Sequence, residues 1–228
     1  MSLKNNLKTI EENIARAAQK SGRSPEDITL VGVTKTVPIE RIREAFSLEI
    51  THFGENRVQE FLPKYESFKD PTWHMIGHLQ TNKVKSIIDK VALIHSVDNL
   101  RLAEEIDKRA KQLNINVDIL IEINIAQEDT KHGVSPENTS ILIEQICNLS
   151  NIRTSGLMCI APYVECSELN RVYFEKMHRL FIDIKSRCLH NVDMRFLSMG
   201  MTGDYGVAIE EGANIIRVGT GLFGFKEV

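Results

Sequence analysis

The sequence predicts a (β/α)8 TIM barrel preceded by one extra helix. Three observations carry that expectation. Short apolar runs alternate with longer amphipathic ones along the chain, the short runs number eight, and 228 residues fall within the usual size of such a barrel, about 200 to 250. Strands alternating with helices indicate parallel βαβ units. A doubly wound open sheet is the rival arrangement, but no G-x-G-x-x-G or Walker-type loop follows the first strand to favour it. No Gly/Ser/Pro-rich linker, charge block or strict repeat divides the chain, so a single domain over 1–228 is expected.

The elements follow in order. Leu3, Leu7, Ile10, Ile14 and Ala17 recur at alternating spacings of four and three, and Gly22 stands where a helix would stop. This N-terminal helix, within 1–22, is expected to pack on the bottom or side of the barrel. The strands are expected near 28–34, 51–54, 73–77, 91–96, 117–124, 152–158, 195–198 and 214–218. Helical patterns lie between them. Leu102, Ala103, Ile106, Ala110 and Leu113 form one stripe, and Ile141, Leu142, Ile146 and Leu149 another, with Pro136 suited to a first turn.

Composition excludes several classes of function. With 42% hydrophobic residues the chain can bury a real core, and a net charge of −3, from 28 basic and 31 acidic side chains, provides no basic field for nucleic acid or anionic membrane. No apolar run approaches the roughly 20 residues that span a bilayer. Cys147, Cys159, Cys166 and Cys188 include no CxxC pair, and "MSLKNNLKTIEEN" lacks an apolar signal core, so a cytoplasmic location is expected.

In a barrel of this kind the site forms at the C-terminal ends of the strands, and phosphate is often held after strands seven and eight. The seventh strand runs into "SMGMTGD" and the eighth into "RVGTGLFG". Glycines that let backbone N–H groups close on an anion, with the hydroxyls of Ser198, Thr202 and Thr220, suit phosphate; ordinary turns would look similar. Lys35 ends the first strand on the same face. Lysine amines form Schiff bases with carbonyls, although a lone lysine there also fits a solvated cap. A strand-end lysine beside a phosphate site points to a phosphorylated aldehyde. His74 and His78 are four apart, but no third ligand stands at motif spacing, so no metal site is expected.

The motifs "VGVTKTVP", "FGENRVQEF", "WHMIGHLQTNK", "NIAQEDTKHG", "GLMCIAP" and "SMGMTGDYGVAIEEGANIIRVGTGLFG" together resemble the YggS/PROSC family of pyridoxal 5′-phosphate homeostasis proteins, from about Leu30 onward. That family has a barrel similar to the N-terminal domain of alanine racemase, the fold-type III group. The resemblance implies that Lys35 forms the internal aldimine with pyridoxal phosphate, that Ser198, Thr202, Gly219 and Thr220 make the phosphate cup, and that Arg217 faces the pyridine nitrogen. It also implies that Asn56, Met158 and Met199 lie at the cofactor. Without it, Arg217 reads as a strand-end ion pair, Asn56 as a helix N-cap and Met158 as core. Thr202 stands where many relatives have serine, and Gly221 where alanine is commoner.

An arginine at the ring nitrogen only donates hydrogen bonds, which weakens the cofactor as an electron sink. A racemase also needs a second acid/base group, and Tyr163, Tyr173 and Tyr205 carry no recognisable sign of that role. The expected function is therefore to hold pyridoxal phosphate as a lysine aldimine, without strong catalysis, and to supply it to apoenzymes; a monomer is expected. A racemase of low activity is the alternative, and a Schiff-base aldolase acting on sugar phosphates a third reading.

Overall fold

The computed structural model describes residues 2–128 and 130–224. Eight strands, β1 (Thr29–Val33), β2 (His52–Glu55), β3 (Thr72–Met75), β4 (Leu93–Val97), β5 (Val117–Ile123), β6 (Ile152–Cys159), β7 (Val192–Met201) and β8 (Ile215–Val218), form a closed barrel in sequence order. All neighbours are parallel, and closure comes from β1 on β8, with Thr29 opposite Ile215 and Gly32 opposite Val218. Helices α2 (Ile39–Ser47), α3 (Val58–Ser67), α4 (Leu100–Leu113), α5 (Pro136–Ile146), α6 (Arg171–Ser186), α7 (Tyr205–Glu210) and α8 (Thr220–Phe223) surround it. Pro136 does open α5, and Ser135 caps it by accepting from the Asn138 N–H.

Two elements depart from the sequence reading. The β3–β4 connection holds a 3-10 helix, Thr81–Ser86, in place of an α-helix. Strand β7 runs from Val192 to Met201 and so overruns the expected 195–198 at both ends, taking in the first residues of "SMGMTGD"; at its start Arg195 pairs with Asp193 and Asp118, each at 2.9 Å. These ion-paired residues leave no apolar run to mark the start of the strand.

The first helix, α1 (Leu3–Lys20), buries Leu3, Leu7, Ile10, Ile14, Ala17 and Ala18. The expected stripe therefore covers the side of the barrel, against α7 and α8. Polar bonds fix its register: Asn6 Nδ2 donates to the Leu222 carbonyl and Asn13 Nδ2 to the Tyr205 hydroxyl, each at 2.9 Å, and Lys20 meets Glu210 at 2.8 Å. Burial of each large apolar side chain adds roughly 1.5–3 kcal/mol. The same helix thus braces the two elements that follow β7 and β8.

Side chains alternate between the two faces of each strand. Val31, Leu93, Leu120, Met158 and Ile215, with Phe196, pack together inside the barrel, while the larger core lies between barrel and helices. Trp73 and Leu79 belong to that outer core and are packing residues, as expected.

Candidate functional site

Val31 faces the barrel interior, so strand alternation carries Val33 and then Lys35 along the same face to the mouth. Both neighbours of Lys35 are tied down. Thr34 is buried and donates to Glu55 Oε1 at 2.8 Å, while Lys64 pairs with Glu55 and donates to the Thr34 carbonyl at 2.6 Å. Thr36 adopts φ 61°, a left-handed conformation that is costly for a β-branched residue, and its N–H donates to Glu60 Oε2 at 3.1 Å. The exposed Lys35 amine has no hydrogen-bond or ion-pair partner among the described residues. Its backbone is held on both sides, and its side chain is left free to reach a ligand.

Lys35 shares one cleft with Val33, Gly219, Thr220 and Phe223. The β7 exit joins it through Thr202, whose hydroxyl lies 3.4 Å from that of Thr220 and accepts the Gly221 N–H at 3.2 Å. A Cβ on Gly221 would meet Thr202 Cγ2 at 2.8 Å. The methyl that threonine adds at 202, relative to serine, therefore occupies the space that alanine at 221 would need. The two departures noted in the sequence compensate each other.

Below the cleft, Arg217 is 3% exposed. Nη1 donates to Ser198 Oγ at 2.5 Å and Nη2 to the Cys159 carbonyl at 2.7 Å. Among the described residues no carboxylate oxygen lies within ion-pair distance of it, so Arg217 is not a strand-end ion pair. Burial lowers its pKa below the ordinary guanidinium range, and Cys159, Glu122 and Asp204 oppose that shift. Ser198 accordingly lies with Arg217 inside the barrel, whereas Thr202, Gly219 and Thr220 cluster at the mouth.

From Ser198 a polar chain crosses the interior. Ser198 Oγ is 3.0 Å from His95 Nδ1, His95 Nε2 is 3.0 Å from His74 Nδ1, and His74 Nε2 is 2.9 Å from His52 Nδ1. Arginine can only donate, so Ser198 accepts from it, and along the chain each imidazole can donate from one ring nitrogen and accept at the other. All three are then neutral. Burial pushes His95 well below the usual 6.5, with His74 and Arg217 adding to the effect, and takes His74 down to about 3, aided by His52. Burial also lowers His52. His74 is thus bonded to histidines on adjacent strands, and not paired with His78, which stands on the β3 exit loop.

Asn56 is not the cap of α3; Arg57 holds that position, and the Asn56 amide oxygen is buried without a partner. Met158 lines the barrel interior, while the Met199 side chain packs outside it, among the helices. Glu122 escaped the sequence reading. Its Oε2 is buried without a partner, and desolvation, with Asp98 adding to it, raises its pKa to about 7 against the opposing pull of Arg217. A histidine on each of β2, β3 and β4 and a glutamate inside the apolar run "DILIEI" were the available signals, since a polar residue in a buried run is the informative exception.

Comparison with known proteins agrees with this architecture. Residues 5–227 match the family model "Alanine racemase, N-terminal domain". A pyridoxal phosphate homeostasis protein of Aquifex aeolicus is 49% identical over 97% of this chain and 97% of its own length, and one of Escherichia coli K12 is 37% identical over 97% and 96%. The structure of PipY of Synechococcus elongatus with pyridoxal phosphate bound superposes with a TM-score of 0.80 at 33% identity, covering 92% of this chain and 100% of that one. An alanine racemase of Clostridium difficile shares the fold alone, with a TM-score of 0.74 at 19% identity, covering 99% of this chain and 57% of that one.

Proposed function

The chain belongs to the pyridoxal phosphate homeostasis protein family, and from that premise we propose that it holds pyridoxal 5′-phosphate at the barrel mouth as a carrier, supplying it to apoenzymes. The observation that carries the reading is the meeting of an unpartnered Lys35 amine with Gly219 and Thr220 in one cleft above a buried Arg217. The residues fit the cofactor. Asn56 Oδ1 and Glu122 Oε2 are among the buried polar atoms that lack partners, and the Arg217 guanidinium has N–H groups beyond the two bonds it makes.

When bound, the cofactor supplies an aldehyde that condenses with a lysine amine and a ring that can delocalise carbanion charge. Lys35 is the covalent anchor, and Thr202, Gly219 and Thr220 hold the phosphate by hydroxyl and backbone donors. Arg217, locked as a donor by Ser198 and the Cys159 carbonyl, presents N–H to the ring nitrogen and withholds a proton from it. That weakens the electron sink and favours holding over catalysis.

Among the described residues no tyrosine lines the Lys35 cleft; Tyr163 is 96% exposed and the Tyr205 hydroxyl is engaged by Asn13. Glu122, with its pKa near 7, is the observation that favours weak racemase activity as a second reading. Arg217→Glu tests the carrier reading. It should shift the bound-cofactor absorption by allowing protonation of the ring nitrogen; an unchanged spectrum and affinity would show that Arg217 does not face that nitrogen. Turnover of any amino acid by the unaltered protein at about 1 per second or faster would favour the enzyme.

A further inference from the structure

We propose that the rim of the barrel carries a second, separate site, for a divalent transition metal, built from His78, Asp98 and His132. The three come from successive strand exits: His78 from the loop after β3, Asp98 from the residue that follows β4, and His132 from the loop between β5 and α5. One ligand atom from each lies within 4.8 Å of the others, and His78 Nδ1 is 4.0 Å from Asp98 Oδ2. No fixed sequence spacing links them, which is why a search around His78 for motif partners fails.

The donor set decides the class of ion. Two imidazoles and one carboxylate suit zinc, cobalt or nickel, whereas calcium and magnesium take oxygen ligands. Around zinc, with bonds of about 2.0–2.1 Å, tetrahedral ligand atoms stand roughly 3.4 Å apart, so the cluster must tighten by about 1 Å. Its parts can move by that much. The His78 and His132 rings are stacked, with centroids 4.0 Å apart and planes 14° from parallel, and both side chains are exposed. Turning the rings so that both lone pairs meet one ion loses the stack but buries no new polar group. Asp98 is the fixed member. Its side chain is 12% exposed, and Oδ1 accepts from Asn99 Nδ2 at 2.5 Å, which leaves Oδ2 toward the histidines.

Three protein ligands leave the ion an open position. None of the three lines the Lys35 cleft, and β3 to β5 stand across the barrel from β8 and β1. A bound ion would tie the β5–α5 loop to the ends of β3 and β4. That loop already bonds within itself, through Asn124 to the Glu128 carbonyl and N–H at 2.9 and 3.1 Å, and to β5 and α5 through Val134 and Gln127, but none of these bonds reaches the ends of β3 and β4.

The test is calorimetric titration of the full-length, EDTA-treated protein with Zn²⁺, and absorption titration with Co²⁺. One ion per chain is expected, with no thiolate charge-transfer band. His78→Ala and His132→Ala should each weaken binding by more than about 100-fold, because loss of even an outer-sphere partner costs roughly 10–100-fold. His190→Ala, at an exposed histidine outside the cluster, should leave it unchanged. Both cluster histidines are exposed, so the variants should retain the parent melting temperature. Absence of binding, binding that survives either cluster variant, or a cobalt–thiolate band from Cys166 or Cys188 would overturn the proposal. The titration needs no pyridoxal phosphate, so its outcome is independent of the carrier reading.

Discussion

Arg217 can donate hydrogen bonds and cannot accept them, so Ser198 accepts from it and heads a hydrogen-bonded chain that continues through His95 and His74 to His52. Burial keeps those imidazoles neutral. The chain has a measurable cost in acid. His74 and His95 have folded pKa values below the ordinary 6.5, so their contribution is fully present above pH 6.5 and lost as pH falls. Glu122 acts in the opposite sense: its folded pKa of about 7 lies above the ordinary 4.5, so its contribution is present at low pH and lost as pH rises toward 7. Between pH 6.5 and 5 the histidines therefore remove stability and Glu122 returns part of it. Urea unfolding should show a steeper loss over that interval in Glu122→Gln than in the parent protein, by about 1–2 kcal/mol. A flat profile in both proteins would mean that the histidines are not buried neutral.

At the scale of elements, the β7 and β8 exits work as one unit because Thr202 and Gly221 share a single methyl-sized space. Gly221→Ala should turn Thr202 away, break its bond to the residue-221 N–H and weaken pyridoxal phosphate binding several-fold, about 1 kcal/mol. Adding Thr202→Ser removes the clashing methyl and should restore affinity, giving a coupling that independent sites do not show. If fluorescence titration finds the two changes additive, the loops do not share that space. These loops were legible in the sequence because glycine and hydroxyl residues followed apolar runs at the seventh and eighth positions. Their mutual compensation was not, since residues 202 and 221 meet only after β8 has been laid beside β7. The same reason hid the histidine chain: each of His52, His74 and His95 is one polar residue in its own strand, and only the barrel's closure lines them up.

For the whole molecule, periodicity revealed eight strands and an amphipathic first helix, but the helix's place depended on contacts made across the length of the chain. α1 braces α7 and α8 through Asn13 to Tyr205 and Asn6 to Leu222. Removal of residues 1–22 should therefore lower the melting temperature and loosen cofactor binding together; retention of both would show that α1 is an ornament of the barrel. The central claim rests on Lys35, whose neighbours are held by Glu55, Lys64 and Glu60 while its own amine is left free. Borohydride reduction of the protein loaded with pyridoxal phosphate, followed by peptide mapping, tests it most directly. The account predicts a single phosphopyridoxyl label on Lys35, abolished in Lys35→Ala; a principal label on any other lysine, or none, would contradict it.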